Sequence, residues 1–68
     1  MMATDADVWR VAGILIDAYG DDAPRYALAS VDLLLERGDL RLASQWRSVS
    51  TAATVLLRER DTSRDVVH

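Results

Sequence analysis

The chain has no cysteine and one histidine, His68, in 68 residues. Disulfides and thiolate metal sites are therefore excluded, and neither a histidine metal site nor a histidine general base is expected. Lysine is also missing, and every basic residue is arginine, a usage that points to a high-GC genome. Proline occurs once, at Pro24, and glycine three times, at Gly13, Gly20 and Gly38. The longest apolar run, Val11 to Ile16 with Gly13 included, falls far short of the ~20 residues that span a bilayer. The opening MMATDAD carries no basic segment of the kind that starts a secretion signal. A soluble, cytoplasmic protein is the expectation.

Half of the residues are apolar, too many for a disordered chain. A chain this short makes at most one small domain, and such domains are marginal alone. Without disulfides or a metal, close helix packing and oligomerisation remain as sources of stability. The net charge of −3 argues against broad nucleic-acid binding, whose affinity comes from neutralised phosphates.

Punctuation residues divide the chain into three predicted helices, about 5–19, 23–37 and 40–59. Thr4-Asp5-Ala6-Asp7 resembles a capping box, with Asp7 in the place of Glu. Gly20 suits a left-handed stop, Asp22 or Ala23 an N-cap, and Pro24 a first helical turn. Arg37-Gly38-Asp39 is a tripeptide that adhesion receptors read in extracellular proteins. Here each member has a local role: a cation at a helix end, a C′ glycine and an N-cap. A connection this tight makes helices 2 and 3 neighbours. Asp61 to Asp65 shows no pattern, so the reading is one domain over 1–60 with a mobile tail over 61–68. No repeats are present.

Helical wheels assign the faces. In helix 3, Leu42, Trp46, Val49, Ala53, Leu56 and Leu57 share one arc, opposite Arg47, Thr51, Arg58, Ser44 and Thr54. Trp46 is centred on the arc and reads as core. Helix 2 has a main stripe of Ala27, Leu28, Val31, Leu34 and Leu35 and a lesser one of Tyr26, Ala29 and Leu33. Helix 1 has Val8, Val11, Ala12, Leu15 and Tyr19 on one stripe. Trp9 and Ile16 lie to one side of it, and Ile14 and Ala18 to the other. A helix apolar nearly all round needs more cover than two short helices give, so it predicts a partner surface. The expected interface is Trp9, Gly13 and Ile16, with Tyr26 and Leu33. Gly13 could admit a close helix there, or be merely tolerated.

Chemistry is sparse. Asp17, Asp21 and Asp22 gather near the first turn but match no calcium loop, so capping and solvation outweigh a cation site. Ser44, Ser48, Ser50 and Thr51 have no internal His or Lys to activate them. No enzyme and no cofactor are expected. A second reading treats helices 2 and 3 as a helix-turn-helix, with Arg41, Arg47 and Arg58 as a nucleic-acid face. Against it stand the acidic balance, the short turn and the spread of the arginines.

The stretches Ala18-Tyr19-Gly20-Asp21-Asp22-Ala23 and Leu34-Leu35-Glu36-Arg37-Gly38-Asp39, followed by Trp46, resemble a family of short uncharacterised bacterial helical proteins. The likeness runs from about Val8 to Leu57. It implies a small helical fold and no catalytic residue. Pro24 and the hydroxyl-rich third helix depart from that pattern. Together these readings give an all-α three-helix domain, with a tight hairpin of helices 2 and 3 and helix 1 packed across both. It is expected to form a C₂ homodimer and to act as a non-enzymatic adaptor or regulator.

Overall fold

The computed structural model describes the backbone of residues 5–66 and the side chains of residues 6–60. The order is α1 (Asp5–Tyr19), a 3₁₀ turn (Gly20–Asp22), α2 (Ala23–Glu36) and α3 (Leu40–Val66). The all-helical expectation holds for the described residues. The division into three separate helices needs correction. The backbone stays helical from Asp5 to Glu36 and only bends at the 3₁₀ turn, so the molecule is a bent helical arm followed by a second arm. Gly20, at φ +60°, ends the α1 ladder, yet the Ala23 N–H bonds back to the Gly20 carbonyl and helix resumes at once. Pro24 fits there because the first turn needs no N–H from it. Asp22 holds the N-cap position without a side-chain capping bond. Its carboxylate lies 3.9 Å from exposed Arg25 instead. Thr4, the expected cap of α1, lies outside the described residues.

The break between the arms is a Schellman motif. Gly38 adopts φ +77°, its N–H bonds to the Leu35 carbonyl at 3.0 Å, and the Asp39 N–H bonds to the Leu34 carbonyl at 2.9 Å. Asp39 then caps α3, its Oδ1 accepting from the Leu42 N–H at 3.2 Å. That bond satisfies an end-of-helix donor and is typically worth ~1 kcal/mol. The Arg-Gly-Asp tripeptide is thus fully used as a helix stop and start.

α3 continues to Val66, past the end expected near residue 59. The patternless segment after Asp61 is helical in its backbone, because no glycine or proline stops it. Its side chains, and Val67 and His68 entirely, lie outside the described residues.

α2 packs most extensively on α3, and α1 also rests mainly on α3, with little contact between α1 and α2. The expectation that helix 1 lies across both others is corrected accordingly. Ala12, Leu15 and Ile16 of α1 meet Ala23 and Ala27 of α2 and Val49, Ala52 and Ala53 of α3. Among the described residues, the apolar side chains sealed to 0% exposure are all alanines: Ala12, Ala23, Ala27 and Ala53. Small side chains let the helix axes come close, but each removes little apolar area from water. Ser50 is buried beside them and donates to the Pro24 carbonyl at 3.1 Å, tying α3 to the start of α2. No helix of the described residues is long and apolar enough to cross a membrane.

Candidate interaction surface

An alanine-rich core leaves many of the large apolar side chains partly outside. Trp9, Ile14, Tyr19, Tyr26, Leu28, Leu33, Leu35, Leu40 and Leu42 are all 40–69% exposed. They do not form one patch.

On one side of α1, Trp9 overhangs α3 and lines a shallow cavity with Ser48, Thr51, Ala52 and Val55. Gly13 lies one turn further along. A Cβ built there meets nothing within 4 Å, so no helix of this chain requires its bareness. Gly13→Ala should therefore stabilise the folded chain by about 1 kcal/mol through helix propensity, a rise in Tm of roughly 4–8 °C. A thermal melt by circular dichroism checks this. A fall in Tm accompanied by loss of an oligomer would instead give Gly13 a close contact between subunits.

Ile16, grouped with Trp9 on the wheel, is 3% exposed and belongs to the core cluster. Its placement in a partner interface is corrected. It sits one turn before the bend, where Ala23 of α2 closes over the helix, whereas Trp9 lies two turns earlier.

A second surface lies along α3 around Trp46, with one opening beside α1 and another beside α2. Tyr26, Ser30, Leu33 and Arg37 follow one another at helical spacing down one flank of α2. Tyr19 stacks on Tyr26 across the bend, ring centroids 4.3 Å apart and planes 16° from parallel. The Tyr26 hydroxyl, by hydrogen bonding and then by charge, raises the Tyr19 phenol above its ordinary pKa. Trp46 is half-buried rather than sealed in the core and lines two cavities. One, of about 190 Å³, is shared with Asp7, Val8, Val11, Gln45 and Val49. The other, of about 210 Å³, is shared with Ser30, Leu33, Leu34 and Arg37. The expected interface residues thus fall on two faces: Trp9 and Gly13 on one, Tyr26 and Leu33 on the other. Trp46, read as core from its central place on the α3 stripe, packs against the core cluster and is only partly open at these two cavities.

The arginines of the alternative face, Arg41, Arg47 and Arg58, are all exposed on α3. The hydroxyls around them serve the helix itself. Ser48 donates to the Ser44 carbonyl at 3.3 Å and Thr51 to the Arg47 carbonyl at 3.2 Å. Those protons are not offered outward to phosphates or bases. Among the described residues no group of three acidic or histidine side chains gathers as a metal site, and Asp17, Asp21 and Asp22 do not converge as one.

Comparison with protein-family models, with curated proteins and with solved structures finds no match to this chain.

Proposed function

We propose that this chain is a non-enzymatic helical interaction module, an adaptor or small regulator, that works as a self-associating protein in the cytoplasm. The observation that carries the reading is the inversion of its apolar residues. Among the described residues, six of the ten buried apolar side chains are alanines, while nine large ones are 40% exposed or more. A monomer of this size has little apolar burial to spare, and exposed apolar surface on this scale marks a contact surface.

The test is molar mass by light scattering after size exclusion, across a dilution series. A dimer, at twice the 7.5 kDa chain mass, is the expected result. A monomer at every concentration overturns self-association. The nucleic-acid reading rests on the outward arginines of α3. Retention on a DNA column at low salt, lost in the Arg41→Ala/Arg47→Ala double variant, would put it ahead; no retention removes it.

A further inference from the structure

We infer that Tyr19 and Tyr26 are a site of oxidative modification: a one-electron oxidant of the peroxidase class joins their rings as an intramolecular dityrosine, and the new bond staples α1 to α2 across the bend. The site is independent of self-association. It gives a covalent staple to a chain that has no cysteine for disulfides.

Tyr19 ends α1, and Tyr26 lies in the first turn of α2. Seven positions on an unbroken helix span about 10 Å along the axis. The 3₁₀ turn between the two tyrosines bends the path, and their rings lie face to face, centroids 4.3 Å apart and planes 16° from parallel. The Tyr26 hydroxyl acts on the Tyr19 phenol by hydrogen bonding and by charge, so the two oxygens stand at the same end of the stack. The Cε carbons beside each oxygen therefore lie about one ring spacing from their counterparts. The residues are 45% and 43% exposed, so an oxidant reaches them in the folded chain and the rings have room to swing edge to edge. The chain has only these two tyrosines, so a bond within one chain can join no other pair.

The chemistry balances with one peroxide. Each phenol gives an electron to the oxidant and its hydroxyl proton to solvent, leaving a tyrosyl radical. The two radicals pair at one Cε of each ring, and a carbon–carbon bond forms. The hydrogen on each bonded Cε then leaves as a proton, and each oxygen takes a proton back, which restores both aromatic rings. Two electrons and two protons are lost in all, and hydrogen peroxide accepts them to become two waters. The stack supplies what the coupling needs, a second phenol already beside the first. Groups held near reacting geometry reach effective molarities of about 10⁵ M or more, whereas a short flexible tether gives only about the mM range.

The experiment treats the full chain with a haem peroxidase and hydrogen peroxide at neutral pH. Dityrosine emission, intact mass and denaturing gels are followed. Expected is a product of single-chain size, lighter than the parent by two hydrogens, with a yield per chain that dilution does not lower. Tyr19→Phe and Tyr26→Phe should each abolish it, since Phe keeps the ring and removes the phenol; circular dichroism checks that both variants stay helical. Urea unfolding, with coupling of free tyrosine as the control on the enzyme, should cut the yield by about 5-fold or more. The purified cross-linked chain should melt roughly 5–15 °C above the parent, because the bond closes a short loop while the bend stays folded. Cross-links that join separate chains, or a yield that urea leaves unchanged, overturn the site. A cross-linked chain that melts below the parent overturns the staple. A parent that does not couple at all removes the site, whatever its oligomeric state.

Discussion

Ile16→Asp is expected to unfold the chain outright, while Trp9→Asp leaves it helical. Ile16 is 3% exposed and packed in the cluster that joins α1, α2 and α3. Removing a buried Ile side chain costs roughly 2–5 kcal/mol. An unpaired carboxylate in its place adds several more, or remains protonated at a similar cost. A domain of this length holds only about 3–10 kcal/mol in total. The change therefore matches or exceeds the whole stability of the fold. Trp9 is 42% exposed over a shallow cavity, so its replacement exchanges surface for surface within the monomer. Far-UV circular dichroism and a urea titration separate the two outcomes. A helical, cooperatively melting Ile16→Asp that has lost only its partner would return Ile16 to an interface and overturn its place in the core.

That pair shows how far wheels carry. Trp9 and Ile16 differ by only about 20° around the helix. Their fates differ because of position along the axis: Ile16 lies beside the bend, where the chain turns over it. A wheel gives direction and leaves out what stands in that direction. The punctuation was far more legible. Gly20, Pro24, Gly38 and Asp39 act through their own backbone and near neighbours, and each holds the place its chemistry implied. Stereochemistry of that kind is local, so it survives without knowledge of the tertiary fold.

The core was legible in kind but not in scale. Leu28 and Leu35 belong to the main stripe of helix 2, yet they are 49% and 44% exposed. Ala23, Ala27, Ala43 and Ala53 explain this. Where alanines face one another, two helices approach until side chains on the flanks of the stripe are left outside the contact. Hydrophobicity alone ranks leucine above alanine for burial, and so it places the wrong residues at the centre. The same shift puts Trp46 at the edge of the packed region, where it lines two cavities. Tyr26 and Leu33 could be read as outward because their stripe was the lesser one; that their flank faces Trp46 needed the path of α1.

The alanine contact gives the other large expected effect. Ala27→Leu should destabilise the chain by about 1–3 kcal/mol, a substantial share of its stability, whereas Ala29→Leu should change it by no more than about 0.5 kcal/mol. Ala27 is 0% exposed within the three-helix cluster, and Ala29, two residues on, is exposed. The substitutions are chemically the same, and Leu and Ala are both good helix formers. Helix propensity and composition therefore cancel between the two variants, and what differs is the space between axes. Three added carbons at position 27 must push α2 away from α3 or α1, or force an off-rotamer side chain. Separating α2 from α3 would also stretch the 3.1 Å bond from Ser50 to the Pro24 carbonyl. Urea midpoints for the two variants measure the contrast directly. Equal midpoints would mean that the helices do not meet at Ala27 as closely as the structure has them. A large gap, with Ala27→Leu the weaker, would establish that α2 is held against α3 and α1 by close approach of small residues.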